Sequence, residues 1–166
     1  PDDPEANLKL ATIYQRLAEK ITDTAPGDAA ALMDKSDQAI ETLLKSEAFE
    51  EREIRAETWS LKGRNEKTRW IQSWIKYPEP ERAVRALNSG YLTSAFENYK
   101  KAYNEDLNHF YSGINTLGLL TVIIQLAKVN PAAWEFQFDS AEDASRELDD
   151  FIEMHEEISV SVRLAV

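Results

Sequence analysis

The chain has 166 residues, which is enough for one domain or a short array of helical repeats and too few for two independent globular domains. A hydrophobic fraction of 43%, with 5 Gly and 6 Pro, is typical of a folded, mainly helical protein. The net charge of −11 repels phosphate backbones and anionic lipid headgroups, so we expect no nucleic-acid or membrane partner. The absence of Cys excludes disulfides and thiolate metal sites and is compatible with a cytoplasmic location.

The ends of the sequence predict a fragment of a longer protein. The chain begins with Pro1 rather than an initiator Met and ends at Val166 without a polar stop. We therefore interpret residues 1–166 as a single helical-repeat domain from a longer chain.

Helical periodicity of apolar residues predicts helices along most of the chain. The predicted helices lie at about 4–21, 28–44, 50–76, 80–88, 91–103, 110–128 and from 140 onward. The first two are joined by a short connection and should form an antiparallel hairpin. Gly63 lies near the middle of the third helix, where it either kinks the helix or lets another helix approach closely.

Capping residues mark several of these boundaries. Asp3 is the predicted N-cap of the first helix, with Pro4 as its first residue. The segment 26–28, Pro-Gly-Asp, predicts a stop followed by a cap, and the segment 89–90, Ser-Gly, predicts a left-handed cap. The segment 140–143, Ser-Ala-Glu-Asp, resembles a capping box that opens the last helix.

Two segments depart from the amphipathic helical pattern. Apolar residues alternate with other residues over 158–166, which predicts a short strand or extended tail at the C-terminal end. The most apolar run, 114–127, is interrupted by polar residues, and we expect it to be too short and too polar to span a bilayer.

An internal-repeat pattern is strongest in the segment 90–103. Ala95, Tyr99 and Ala102 show the small, large and small spacing that lets two helices nest, and the segment resembles the second helix of a tetratricopeptide repeat. The same spacing recurs at Ala39, Leu43 and Ser46, and more weakly at Ala144, Leu148 and Phe151. These units are 56 and 49 positions apart. A regular array has a period of about 34 residues, so insertions or lost helices must separate the units.

Three segments, in this order, resemble the tetratricopeptide-like TRAFs-binding region of apoptosis signal-regulating kinases and its bacterial relatives. They are 57–67 (ETWSLKGRNEK), the helix 95–102, and 110–115 (FYSGIN). The similarity covers roughly residues 55 to 130, although Asn65 stands where an aromatic residue is often expected. This resemblance implies a helical-repeat regulatory or adaptor region that is attached to other domains and is not an enzyme.

The residues therefore predict an all-α fold. We expect antiparallel helix pairs in an irregular tetratricopeptide-like superhelical array, with a short extended C-terminal tail.

No catalytic or metal-binding pattern in the sequence is complete. The segment 155–159 lacks the second His of a zinc-protease motif, and His109 and His155 are the only histidines. The sequence contains neither a glycine-rich phosphate loop nor a nucleophile elbow. Several carboxylates follow one another along the last helix, and we interpret them as a solvated face: Glu147, Asp149, Asp150, Glu153, Glu156 and Glu157. We predict no catalytic residue, no metal ligand and no cofactor.

The segment 52–85 is basic in an otherwise acidic chain. It carries nine basic and five acidic residues, a balance of +4, which leaves −15 for the rest. With Trp59, Trp70 and Trp74 it forms a strip that suits an acidic peptide, because aromatic rings supply contact area and Arg bonds carboxylates. In the alternative interpretation, the tryptophans lie in the core and the basic residues pair with acidic neighbouring helices.

Asn115 is a second candidate for binding. It lies in the first turns of a predicted first helix of a repeat, and such helices line the concave face of an array. Its amide has the donor and acceptor groups to hydrogen-bond an extended peptide backbone. Asn115 also suits a local helix cap, and the sequence leaves both roles open.

We thus predict a non-enzymatic protein-interaction and regulatory scaffold. Its binding surface involves Arg64, Lys67, Trp70, Asn98, Lys101 and Asn115. The expected partner is a protein or peptide, with an acidic segment favoured, and the oligomeric state stays open. Two alternatives remain: a sensor that binds a small phosphorylated or nucleotide-derived ligand in the same groove, and a structural linker between effector and sensor domains.

Overall fold

A computed structural model describes residues 3–79 and 81–164. The described residues form eight α-helices and a short 3-10 turn at Glu47–Glu50, and they contain no strand. The helices are α1 (Pro4–Ile21), α2 (Pro26–Leu44), α3 (Arg52–Trp74), α4 (Glu81–Leu87), α5 (Gly90–Glu105), α6 (Phe110–Val129), α7 (Pro131–Glu135) and α8 (Ala141–Leu164).

The six long helices form three antiparallel pairs: α1 with α2, α3 with α5, and α6 with α8. In the second pair, Arg55 pairs with Glu105 near one end, and Ser73 donates to Ser89 near the other. The short helices α4 and α7 lie in the connections within the second and third pairs. These insertions lengthen the second and third pairs, which accounts for the irregular spacing of the repeat motif along the sequence.

The first helices of the three pairs, α1, α3 and α6, lie side by side and run in the same direction. Hydrogen bonds from α3 to its two neighbours follow this order: Arg64–Thr12 and Gln72–Thr22 toward α1, and Glu57–His109 and Lys67–Asn115 toward α6. The second helices pack behind them, since each contacts its own partner. The predicted all-α, tetratricopeptide-like array is therefore confirmed.

Helix pairs approach closely where glycine meets an aromatic ring. A Cβ on Gly63 of α3 would lie 2.9 Å from ring atoms of Tyr99 on α5, and one on Gly113 of α6 would lie 2.8 Å from Tyr103. Tyr99 is completely buried. Of the two roles predicted for Gly63, close approach is thus correct, and α3 continues through this residue from Arg52 to Trp74.

The main hydrophobic core joins helices α3 to α8. Its buried members include Phe96, Tyr99, Leu120 and Trp134, together with Ala95 at the centre of the predicted repeat motif. The pair α1 and α2 has two smaller clusters of its own, of which one includes Leu61 of α3. The first helix pair therefore shares little apolar packing with the rest of the molecule.

A buried polar network joins the first pair to α3 instead. The Asn65 amide donates to the Ser36 hydroxyl at 2.9 Å and to the Asp37 carboxylate at 2.8 Å, and Ser36 donates to the carbonyl of Ala11. Asp37 also forms an ion pair with Arg69. These polar partners account for an amide, rather than an aromatic ring, at position 65.

The caps agree only in part with the prediction. The Asp3 carboxylate accepts from the backbone N–H groups of Glu5 and Ala6, so the predicted N-cap of α1 is confirmed. Pro26 begins α2 rather than stopping the chain, because a proline at the first helical position has no N–H to leave unsatisfied. The left-handed cap predicted at 89–90 is wrong: Ser89 is an extended N-cap and Gly90 is the first residue of α5.

The start of α8 is confirmed, while α7 was not predicted. The Ser140 hydroxyl accepts from the N–H of Asp143 at 3.1 Å and lies 2.6 Å from its carboxylate. The hydrogen bond that the Ser140 hydroxyl donates to the Asp143 carboxylate is the main reason why the pKa of Asp143 falls below its ordinary value. The five residues of α7 are too few to show helical periodicity in the sequence.

The extended C-terminal tail is wrong for the described residues, because α8 continues to Leu164. Ile158 and Val162 are four positions apart and therefore share a helix face as well as a strand face. Val162 is buried, whereas Val160 is 57% exposed, as expected for a helix. Pro80, the predicted start of the short fourth helix, and the last two residues of the predicted tail, 165–166, lie outside the described residues.

Among the described residues, α6 alone is long and apolar enough to cross a membrane by length and composition. It has 20 residues and a mean hydropathy of 1.5, so the expectation that this run is too short and too polar does not hold by those criteria. The helix packs mainly against α5 and α8, and 44% of its most apolar 18-residue stretch is buried inside the protein. Helices in the cores of soluble proteins pass the same test.

Candidate functional site

A groove with a volume of about 460 Å³ runs between the first helices of the three pairs. Its lining residues are Gln15, Arg16 and Glu19 of α1, Glu57, Arg64, Lys67, Thr68 and Ile71 of α3, Tyr111 of α6, and His109 just before α6. The α3 residues extend from Glu57 to Ile71, which corresponds to about 21 Å at 1.5 Å per residue. The groove is thus elongated along α3 and polar along most of its length.

Two cations lie at the centre of the groove. The Arg64 guanidinium donates to the Thr12 hydroxyl at 3.2 Å, and its Nε is buried without a hydrogen-bond partner. The Lys67 ammonium donates to the Asn115 side-chain oxygen at 2.6 Å. Within residues 3–79 and 81–164, neither cation has a carboxylate within 4.0 Å. Their hydrogen-bond partners, Thr12 and Asn115, are therefore neutral groups.

Tyr99 adds a neutral surface beneath Lys67. The ammonium lies 5.7 Å from the centre of the Tyr99 ring, within range of a cation–π interaction. Burial raises the pKa of Tyr99 above its ordinary value, and the hydrogen bond with the Tyr111 hydroxyl raises it further. The phenol stays protonated at neutral pH, so it does not neutralise Lys67.

Asn115 positions Lys67 rather than presenting a free amide to the groove. Its oxygen accepts from Lys67, and its nitrogen donates to the carbonyl of Tyr111 at 2.8 Å, one turn earlier in α6. The latter bond stays within the helix. Both sides of the amide are thus engaged by groups of the chain itself.

The pair of Glu57 and His109 closes one end of the groove. The imidazole Nε2 lies 2.9 Å from the Glu57 carboxylate, and Nδ1 lies 2.8 Å from the Ser112 hydroxyl. Ser112 is completely buried, so its hydroxyl has no access to a substrate. This arrangement of Ser, His and Glu joins α3 to the start of α6 rather than forming an accessible nucleophile.

The comparisons with known proteins identify the family. A family model described as Tetratricopeptide Repeats-Sensor matches residues 1–120. The chain belongs to the Tetratricopeptide Repeats-Sensor family. The matched residues include the first two helix pairs, and the family suggests a protein-interaction or sensor module. No curated protein and no solved structure matches the chain.

In this member of the Tetratricopeptide Repeats-Sensor family, three of the six predicted binding residues come together in or beside the groove. Arg64 and Lys67 line it, and Asn115 contacts Lys67 from α6. The other three predicted residues, Trp70, Asn98 and Lys101, lie outside the groove.

Trp70, Asn98 and Lys101 have partners away from the groove. The Trp70 indole donates to the carbonyl of Ala86 at 2.9 Å within the main core, where a large aromatic gains most from burial. Asn98 is buried on α5 and donates to the carbonyl of Ser94. Lys101, also on α5, is exposed, and its ammonium lies 4.7 Å from the Trp59 ring. Because α5 is a second helix, it lies behind α3 and does not line the groove.

Some residues of the basic segment 52–85 lie in ion pairs or in the core, and others line the groove. Three of its arginines pair with carboxylates outside their own helix, as the alternative interpretation predicted: Arg52 with Asp106, Arg55 with Glu105, and Arg69 with Asp37. Arg69 also pairs with Glu66 within α3, and Arg85 pairs with Glu81 within α4. Trp70 and Trp74 pack in or against the core. Arg64 and Lys67 are the basic residues of this segment that line the groove.

Sequence reasoning missed the contribution of α1 and the role of Tyr111. Arg16 and Glu19 come to the groove because α1 lies parallel to α3, and Thr68 accepts from Gln15 and lies 3.0 Å from the Glu19 carboxylate. A signal for α3 was available: residues 57, 64 and 71 are seven positions apart and share one helix face. The described residues contain no group of three or more potential metal ligands.

Proposed function

We propose that the chain is a non-enzymatic recognition module whose groove binds an acidic segment of a protein partner. The observation that carries the proposal is the pair of cations, Arg64 and Lys67, which neutral groups hold in a chain of net charge −11. Arg69, two positions after Lys67 in α3, pairs with Asp37 and Glu66, whereas neither Arg64 nor Lys67 has an ion-pair partner among the described residues. Cations that remain without such partners favour an external anion.

The groove suits a carboxylate carried by a protein segment. Charge-assisted hydrogen bonds from Arg to a carboxylate are among the stronger polar contacts, and Arg64 lines the groove. Lys67 is already positioned by Asn115 and Tyr99, which reduces the entropy lost on binding. At about 3.3 Å per residue, a groove about 21 Å long accommodates an extended segment of about six residues.

The resemblance to the TRAFs-binding region of apoptosis signal-regulating kinases supports an adaptor role. The segments that carry the resemblance supply Arg64, Lys67 and Tyr111 to the groove and Asn115 beside it. The same segments also supply Gly63, which brings α3 and α5 together. The resembling residues thus include both packing residues and groove residues, and we infer a regulatory scaffold attached to other domains.

Charge reversal tests the proposal. Partners are captured from the source cell with the wild type, and the bound segment is then titrated at low and high salt. Arg64→Glu combined with Lys67→Glu should weaken binding of an acidic segment strongly at low salt and less at high salt, because ions screen the charge interaction.

A matched control separates local from global charge. Lys45→Glu combined with Lys128→Glu gives the same net charge, but both lysines are exposed and neither lines the groove. This control should bind as the wild type does. Wild-type affinity in the groove variant, with the fold intact by circular dichroism, would contradict the proposal and favour a structural linker.

A small phosphorylated ligand is a second candidate, because the cations would also suit a phosphate. The groove volume of about 460 Å³ lies within the range of small-ligand sites, about 300 to 1,000 Å³. Titration with a mononucleotide distinguishes the two functions. Binding of the mononucleotide that depends on Arg64 and Lys67, without binding of any acidic peptide, would favour the sensor.

A further inference from the structure

Gly118 is a helix-interior glycine that the packing of the described residues does not require. Glycine weakens a helix, and a close approach of another group is the usual reason to retain it. The ring of Tyr99 approaches Gly63 closely, and the ring of Tyr103 approaches Gly113, so both of these glycines are explained by packing. A Cβ on Gly118 would meet no atom of the described part of the chain within 4 Å. The space beside it is open.

The surroundings of Gly118 are apolar and exposed. Ile114, one turn earlier on the same face of α6, is 46% exposed, and Tyr111, one further turn back, is 49% exposed. From residue 107 to residue 127 the sequence contains no Asp, Glu, Lys or Arg, in a chain in which 30% of residues are charged. We call Tyr111, Ile114 and Gly118 the α6 strip.

The α6 strip continues from the proposed anion site. Tyr111 belongs to both, since it also lines the groove. Asn115, which holds Lys67, is three positions before Gly118, and such residues have Cβ positions about 5–6 Å apart on a helix surface. An uncharged, open surface therefore lies about one turn from a pair of cations.

We propose that the α6 strip receives a large apolar side chain of the partner segment whose acidic residue binds Arg64 and Lys67. This inference rests on the proposed function and names its ligand class: an extended segment with an acidic residue and an apolar residue two positions apart. In an extended chain, side chains at that spacing point the same way and lie about 7 Å apart. Gly118 lies about one helical turn from Asn115, which holds Lys67, so one short segment can contact both surfaces. Gly118 lets the partner approach the helix backbone closely.

Three short peptides test the inference by two-dimensional NMR of the labelled protein. They contain Glu-Ser-Leu, Glu-Ser-Ser or Ser-Ser-Leu within the same Gly and Ser sequence. The wild type should bind the Glu-Ser-Leu peptide about tenfold more tightly than the Glu-Ser-Ser peptide, because leucine buries apolar surface on the strip. Chemical-shift changes should include the amides of Ile114 and Gly118.

Two variants at position 118 form a matched pair. Gly118→Ala adds one methyl group and should keep most of the preference for leucine. Gly118→Gln places a longer polar side chain in the open space and should reduce the preference to about twofold or less. Both substitutions favour the helix, so loss of folding does not explain a difference between them.

The other outcomes distinguish failure of this inference from failure of the proposed function. If both Glu-containing peptides bind equally, or the Gln variant keeps the preference, the inference is wrong and the proposed function stands. If only the Ser-Ser-Leu peptide binds, and Gly118→Gln abolishes this binding, the proposed acidic partner is wrong and the apolar surface remains. If no peptide binds at about 1 mM, both are wrong. Self-association of the wild type that Gly118→Gln abolishes would assign the strip to a second copy and overturn the inference.

Discussion

At the residue scale, Gly63 and Gly118 offer a matched comparison because both lie inside helices. Gly63→Ala should lower the free energy of unfolding by about 1 to 3 kcal/mol, since its Cβ would lie 2.9 Å from the buried ring of Tyr99. Gly118→Ala should raise it by up to about 1 kcal/mol, because alanine favours the helix and finds open space. Urea unfolding measures both, and equal effects would contradict the close approach of α3 and α5.

Asn115 provides a test of the groove that removes no basic residue. Asn115→Asp would place a carboxylate at hydrogen-bond distance from Lys67 and neutralise it, so binding of an acidic segment should weaken at low salt. Asn115→Ala removes the oxygen but keeps the cation, and should weaken binding less. Isothermal titration with the same segment compares the two variants. A larger loss for the Ala variant would instead show that the Asn115 amide bonds the partner directly.

Glu66 makes stability depend on pH. Burial raises its pKa above the ordinary value, and the nearby charge of Arg69 only partly offsets this. A carboxyl group with a raised pKa in the folded state destabilises the fold at pH values where it is ionised, and this cost disappears on protonation. The free energy of unfolding of the wild type, relative to Glu66→Gln, should therefore rise between about pH 7 and about pH 4. Urea unfolding at both pH values measures the difference, and a fall on acidification would contradict the assignment.

At the element scale, the C-terminal end of α8 is the clearest difference between a helix and the predicted strand. Val162 is buried and lies near Gly113, whereas Val160 is exposed. Val162→Ala should lower the free energy of unfolding by about 1.5 kcal/mol, because two buried methyl groups are lost. Val160→Ala should change it little. A strand would place both valines on one face, so equal losses in thermal or urea unfolding would favour the extended tail.

Local spacing predicted the helix pairs but not which side of each pair faces the groove. Ala95 and Tyr99 of α5 mark a close helix contact because their spacing within one helix is visible in the sequence, and the helix that they meet is α3 at Gly63. Asn98 is on the same helix, yet which of its faces is covered depends on α3. Tertiary packing of separate elements thus decides whether a polar residue binds a ligand or completes a local hydrogen bond.

The residues that line the groove also depend on packing between helices that are distant in the sequence. Arg64 and Lys67 stand out as basic residues, but the sequence does not show that Arg69, only two positions after Lys67, meets the carboxylate of Asp37 on α2. Arg16 comes from a helix far away in the sequence and reaches the groove only because α1 runs parallel to α3. Pairing of charges across helices is long-range information. The sequence therefore did not show that Arg64, Lys67 and Asn115 come together while the other three predicted residues lie elsewhere, or that α1 lines the same groove.

At the scale of the whole molecule, the first helix pair is attached differently from the others. The main core spans α3 to α8, while α1 and α2 have smaller clusters and reach α3 through the polar network around Asn65. In repeat arrays, stability is approximately a sum of units and their interfaces, and weakly attached units open first. The first pair should therefore open at a lower free energy than the core.

Hydrogen exchange followed by mass spectrometry tests this order. Amides of α1 and α2 should exchange faster than those of α5, and Asn65→Ala should accelerate exchange in α1 and α2 while leaving α5 and α6 unchanged. The variant removes the amide that bonds Ser36 and Asp37, so it weakens the interface of the first pair without opening the core. Ser140→Ala is the control at the other end: loss of its cap should accelerate exchange at the start of α8 alone. Uniform acceleration along the chain in the Asn65 variant would mean that the molecule opens as one cooperative unit, and the separate attachment of the first pair would be wrong.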